Sequence, residues 1–253
     1  MGCCGVTFKE RLTKGDFILG TFLKTPHPHV VEVLATSKLD CVCIDAEHAP
    51  FDRRDLDMCI LAGRAGSFPT LVRVTHASDE QILNALDCGA DGVVIPHDKT
   101  ADQARAIAKS CHYGLGGRGY AGSSRAADYG LKAMAVHQAD SAARTVIIAQ
   151  IEDVEALAEI DAIAAVDGID ALFVGRIDLT VALSCDNPDD PKVIAAVDQI
   201  VTACVKAGRP VGMFLPRPAD VPHWRAKGVT FFLLGSDHSF MRAGAAALRA
   251  AAG

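Results

Sequence analysis

Eight short apolar runs constrain the fold more than any other feature of the sequence: FILGTFL (17–23), CVCID (41–45), TLVRV (70–74), GVVIP (92–96), VIIAQIE (146–152), ALFVG (171–175), PVGMFL (210–215) and FFLLG (231–235). Each has strand length, and most are separated by alanine-rich segments with helical spacing, as in VEALAEIDAIAAV, where Val154, Leu157, Ile160 and Ile163 recur and Asp153 stands as N-cap. CGADGVVIP, VDGIDALFVG and KGVTFFLLG each pass from a helix end through a glycine turn into a strand. Alternation of this kind predicts a parallel sheet with helices outside it. Eight units in 253 residues favour one closed (β/α)₈ TIM barrel spanning residues 1–253 over an open doubly wound sheet. The leader MGCCGVTFKERLTKG is expected to lay a short helix across the barrel's base. One long excursion, roughly residues 111–144, exceeds an ordinary βα connection and is a candidate functional loop.

A formal net charge of -6 argues against a nucleic-acid footprint, which needs clustered positive charge. No apolar stretch reaches membrane-spanning length, and the N-terminus lacks the pattern of a signal peptide. Val6 stands where a myristoylation motif wants Ser or Thr. The cysteines, nine in all, have no CxxC spacing and read as buried reduced thiols of a cytoplasmic protein.

Barrel chemistry gathers at the C-terminal ends of the strands. The residues that finish the runs are Lys24; Asp45, Glu47 and His48; Arg73; Pro96 and His97; Gln150 and Glu152; Arg176 and Asp178. In VIIAQIE, Ile148, Gln150 and Glu152 share a face, where a buried Gln-Glu pair is costly unless hydrogen-bonded or bound to a cation. Glu152 and Asp178 would meet at neighbouring strand ends and suit Mg²⁺ or Mn²⁺. Alternatively, Glu152 and Asp153 cap the following helix and Asp178 opens a turn. Asp45 beside His48 suits a general base held in orientation, or an ordinary polar loop. Arg73 is placed to fork onto a substrate carboxylate, or to pair with a structural one. Lys24 at a strand end would suit a Schiff base with a keto acid. HPH (27–29) reads as a helix start, GLGGRGYAG as a loop able to cradle an anion, and Asp167 and Asp170 as turn residues.

Taken together, IDAEHAP, LVRV, DCGADGVVIP, GGRGY, AQIE and FVGRIDLT resemble the metal-dependent class II pyruvate aldolases of the HpcH/HpaI family over roughly residues 18–240. The resemblance implies reversible cleavage of a 4-hydroxy-2-oxo acid to pyruvate and an aldehyde through a metal-stabilised enolate, as in aromatic or sugar-acid breakdown. It implies Glu152 and Asp178 as ligands of a divalent cation, Mg²⁺ or Mn²⁺ first and Co²⁺ or Zn²⁺ as alternatives. It further implies Asp45 and His48 as an acid-base dyad, Arg73 as holder of pyruvate and its enolate, and Gln150 beside the metal. Asp87 would reach into a neighbouring subunit's site, in a homo-oligomer (trimer or hexamer) whose last helix is exchanged between subunits.

Two departures bear on specificity. GRIDL stands where the family usually has GPADL, so Ile177 is expected to crowd the pyruvate methyl group and Arg176 to add a charge. His97 and Asp98 follow Pro96 where the family tends to be apolar. The alternatives are an acyl-CoA lyase of the citrate-lyase-β and malyl-CoA type, a Schiff-base aldolase using Lys24, and a keto-acid-binding barrel without turnover.

Overall fold

The computed structural model describes residues 6–253. All eight runs form strands: β1 (Ile18–Leu23), β2 (Cys41–Asp45), β3 (Thr70–Arg73), β4 (Gly92–Ile95), β5 (Val146–Ile151), β6 (Ala171–Val174), β7 (Val211–Leu215) and β8 (Phe231–Ser236). Each pairs in parallel with the next, and β1 pairs with β8, so the sheet closes into a (β/α)₈ barrel.

The two-residue period of the strands divides the core into two shells. In β2, Cys41 and Cys43 face the lumen while Val42 and Ile44 pack against the surrounding helices. The lumen is filled, not open: Phe173 lies 6.5 Å from Phe22 and 5.6 Å from Phe231, ring centre to ring centre. The short helix Phe8–Thr13 presses Phe8 and Leu12 onto this inner shell and closes its base, as expected from the leader. Thr7 and Glu10 fix the start of that helix by bonding each other's backbone N–H. Truncating the fully buried Leu12 to Ala would cost about 2–5 kcal/mol.

The repeated glycine turns have a backbone reason. Gly89, Gly168 and Gly228 enter β4, β6 and β8 with φ of +90°, +90° and +110°, a region that L side chains rarely adopt. Asp40, Asp91 and Asp170 lie just before β2, β4 and β6, and their carboxylates accept the backbone N–H of Leu19, Thr70 and Ile147 at 2.9, 2.8 and 2.9 Å. Asp170 therefore stitches neighbouring strands together at the base, beyond its part in a turn.

Two local expectations are corrected. The excursion through residues 111–144 follows helix Ala101–Cys111 and leads into β5, so it is an αβ connection on the face opposite the strand C-termini. GGRGY is therefore not part of this barrel's mouth. The segment after β5 is a 3₁₀ turn (Val154–Ala158) followed by a short helix (Ile160–Ala164), and the Asp153 side chain makes no cap bond. Other side chains claim it, as described below.

Among the described cysteines all but Cys185 are buried, and all are free thiols; Cys3 and Cys4 lie outside the described residues, as do Met1 and Gly2 of the lipidation motif. The last helix, Asp237–Ala252, is exposed from His238 onward, including Phe240, Met241 and Leu248. No helix of the described residues is long and apolar enough to cross a membrane.

Candidate active site

Strand register explains why ionisable groups collect at one end of the lumen. Cys41, Cys43 and Asp45 alternate inward along β2, and β3 sets Leu71 and Arg73 in the same way, with Asp45 and Arg73 directly paired in register. Asp45 is fully buried. Its Oδ1 accepts from Arg73 Nη2 at 2.8 Å and Nε at 3.2 Å, and from the backbone N–H of His48 at 3.1 Å. Its Oδ2 lies 2.8 Å from Lys24 Nζ. Burial alone would raise the Asp45 pKa, but Arg73 and Lys24 outweigh it and hold the carboxyl below its ordinary value.

Arg73 is itself buried, with its guanidinium 4.6 Å from the centre of the Phe22 ring and its Nε 3.2 Å from Glu47 Oε2. Burial pushes the Glu47 pKa up, against the pull of Arg73 and His97. Only Nε and Nη2 of Arg73 have hydrogen-bond partners among the described residues, which leaves Nη1 for a ligand.

At the end of β5 the lumen-facing pair is as expected: Gln150 Nε2 donates to Glu152 Oε2, and both residues are buried. Glu152 Oε1 accepts the backbone N–H of His97 at 3.0 Å. Burial raises the Glu152 pKa, only partly offset by Gln150 and His97, with the charge of Asp178 pushing the same way as burial. The imidazole of His97 bridges this cluster: Nδ1 is 2.9 Å from Asp153 Oδ2 and 3.4 Å from Glu152 Oε1, while Nε2 is 3.8 Å from Glu47 Oε1. Desolvation would lower the His97 pKa, but Asp153, Glu152 and Glu47 together raise it. Glu47, His97 and Glu152 each offer a ligand atom within 4.8 Å of the others.

The donor set fits a divalent cation. Two carboxylates and an imidazole converge, and Gln150 Oε1 is buried with no hydrogen-bond partner among the described residues. Gly175 leaves the space open, because a Cβ there would stand 2.5 Å from Glu152 Cβ and 2.6 Å from Oε2.

The remaining expected residues divide into those brought to the mouth and those not. His48 is there, its imidazole half exposed and 3.7 Å from Glu47 Oε2. Asp45 bonds its backbone N–H, so the carboxylate anchors the loop that carries His48. Asp178 and Ile177 lie exposed in the first turn of helix Arg176–Ala182; Asp178 is outside the 4.8 Å trio, although its charge reaches Glu152 and Glu47. Arg176 turns away from the mouth: its Nη2 donates to Pro188 O at 2.6 Å and Asp189 Oδ1 at 2.7 Å, and its guanidinium packs near Trp224. The added pocket charge expected from GRIDL is thus spent on bracing a loop. Asp87 ends helix Asp79–Asp87 on the opposite face, 4.0 Å from Arg118 of the GGRGY segment. Lys24 is committed to Asp45, which disfavours it as a free amine nucleophile. Sequence reasoning placed Glu47 and His97 among the strand-end residues without assigning either a part in the site, and left Asp153 as a cap. The signal for all three was their place immediately after a strand.

Residues 19–243 match the family described as HpcH/HpaI aldolase/citrate lyase. A 4-hydroxy-2-oxovalerate aldolase of Rhodococcus jostii (strain RHA1) is 32% identical over 246 residues, 96% of this chain and 95% of that one. A 2-keto-3-deoxy-L-rhamnonate aldolase of Shigella sonnei (strain Ss046) is 33% identical over 233 residues, 91% and 86% of the two chains. Among solved structures, a family protein from Burkholderia cenocepacia J2315 superposes with a TM-score of 0.92 at 30% identity, covering 98% of this chain and all of that one. Fold, strand-end residues and full-length relatives agree, and the chain belongs to the HpcH/HpaI aldolase/citrate lyase family.

Proposed function

We propose that this chain reversibly cleaves a 4-hydroxy-2-oxo acid to pyruvate and an aldehyde, with a divalent cation held at the barrel mouth. The chain is a carbon-carbon lyase of aldolase type, as its family membership and its aldolase relatives indicate. The observation that carries the reading is the convergence of Glu47, His97 and Glu152 beside the buried Asp45-Arg73 pair.

Glu152, with Gln150 beside it and Asp178 across the neighbouring strand end, would hold the cation. A bound divalent cation would supply Lewis-acid polarisation of the keto acid. Arg73 would present Nη1 to the substrate carboxylate and, as a fixed positive donor, stabilise the charge that collects on the pyruvate enolate oxygen. His48, on the loop tied down by Asp45, would accept the proton of the 4-hydroxyl through a water. The C3–C4 bond then breaks, its electrons enter the C2–C3 enolate, the aldehyde departs, and protonation of C3 gives pyruvate. In synthesis the same imidazole helps to deprotonate the pyruvate methyl group.

We assign Asp87, with Arg118, to a neighbouring subunit's mouth in a homo-oligomer of three or six copies. The exposed helix Asp237–Ala252 is the element available for exchange between copies. The buried free thiols support a reducing, cytoplasmic setting.

Pyruvate release from a panel of 4-hydroxy-2-oxo acids tests the reading, using protein stripped by a chelator and resupplied with Mg²⁺, Mn²⁺, Co²⁺ or Zn²⁺. Activity should vanish on stripping and return on resupply. Glu152→Ala should abolish it without unfolding the barrel. Undiminished activity in the stripped protein would overturn the cation's role.

A further inference from the structure

The sequence places a histidine and not an apolar side chain directly after the strand-ending Pro96, and the structure turns that imidazole toward the cation-binding carboxylates. We propose that His97 is a third protein ligand, through Nε2, to the cation that Glu152 holds, and that Asp153 positions it by accepting the Nδ1 proton. The inference rests on the cation reading given above.

Three observations carry it. The ligand atoms of His97, Glu152 and Glu47 lie within 4.8 Å of one another, a spacing that a single ion can draw together. The Nδ1 side of the ring faces Asp153 Oδ2 at 2.9 Å, so the proton sits there and the Nε2 lone pair is left for a ligand. Metal-bound histidines almost always donate their other ring N–H to a carboxylate or carbonyl, which fixes tautomer and ring plane. Asp153 is itself held by Lys99 Nζ at 2.9 Å. Finally, His97 adopts φ of +58°, a left-handed conformation uncommon outside glycine, and its backbone N–H donates to Glu152 Oε1 at 3.0 Å. One strained residue therefore orients the carboxylate with its main chain and faces the same site with its side chain.

The chemical consequence is a change in the preferred ion. Two carboxylates with oxygen donors suit Mg²⁺, whereas an added imidazole favours Mn²⁺, Co²⁺ and Zn²⁺ through the nitrogen bond. Glu47 keeps its Oε2 on Arg73 at 3.2 Å and turns its Oε1 to within 3.8 Å of His97 Nε2, so it borders the same ion on the side away from Asp153.

The test uses the whole protein, freed of metal and reloaded with Mn²⁺, and reads pulsed EPR, in which a directly bound imidazole nitrogen modulates the electron spin echo. Nitrogen modulation is expected in the parent and in His48→Ala, and its loss is expected in His97→Met. Calorimetric titration should show Mn²⁺ and Co²⁺ binding weakened by roughly tenfold or more in His97→Met, with Mg²⁺ changed by less than about twofold. Asp153→Asn should weaken Mn²⁺ by roughly tenfold while keeping the modulation. Circular dichroism checks that each variant folds. Stoichiometric Mn²⁺ binding without nitrogen modulation, or modulation that survives His97→Met, would overturn the proposal and leave the cation reading standing. Failure of the parent to bind any of the ions would remove both.

Discussion

Replacing Asp45 by Asn keeps the side chain's shape and one acceptor oxygen but removes the charge on which Arg73 and Lys24 converge. Arg73 has only 8% of its side chain exposed, so water compensates it poorly. Breaking a buried pair from one side costs about 3–5 kcal/mol. Glu47 still lies 3.2 Å from Arg73 Nε, which argues for the lower end, about 3 kcal/mol. For a chain of this length that is a fall in Tm of roughly 6–12 °C. Lys24→Met should cost less than Asp45→Asn, because Lys24 is nearly a third exposed and Arg73 still holds Oδ1 of the buried carboxylate. The pH dependence has a definite sign. Asp45 titrates lower in the folded chain than in the unfolded one, so its stabilisation is present above the unfolded value and is lost as pH falls through the folded one. The gap between parent and variant should be complete near pH 7 and should close in acid, below about pH 4. Urea unfolding at several pH values measures it. An Asp45→Asn variant within about 1 kcal/mol of the parent at pH 7 would refute the reasoning.

Other consequences follow from single atoms. Gly175→Ala should displace Glu152 and weaken cation binding by tenfold or more, on the order seen when a ligand's support is lost, while the chain still folds; unchanged titration would show that the carboxylate yields without cost. Asp98 is buried with both oxygens unpaired, and burial raises its pKa to about 7. Its folded form therefore binds the proton more tightly than its unfolded form, and stability should fall between about pH 4 and about pH 7 by up to about 4 kcal/mol. Asp98→Asn should flatten that slope in cation-free protein, and parallel stability curves for parent and variant would contradict this.

Strand positions were legible because the lumen on one face and the helical layer on the other bury both sides of each strand, so that CVCID, TLVR and VIIAQI read as nearly unbroken apolar runs. The mouth residues followed from the ends of the same runs. Direction was harder to read. The length of the 111–144 segment was visible, but its face depended on recognising helix Ala101–Cys111 ahead of it. Long side chains were harder still: Arg176 has the reach to enter the mouth or to brace Asp189, and only packing around Trp224 decides. Asp153 carries a good local capping signal that tertiary partners His97 and Lys99 override. Asp45 and His48 were read as partners through the imidazole, whereas β2 ends so that the carboxylate meets the main chain first.

The floor sealed by Phe8 and Leu12 has a kinetic corollary. A lumen plugged from below is a cul-de-sac, and whatever enters must depart by the same door. On the function proposed above, the keto-acid end of the substrate would be anchored at Arg73 and Glu152, deeper than the carbon bearing the hydroxyl group. The aldehyde would then stand between pyruvate and bulk water, and single-file traffic would follow: aldehyde leaving first and pyruvate last, and in the reverse direction pyruvate seated before an aldehyde arrives.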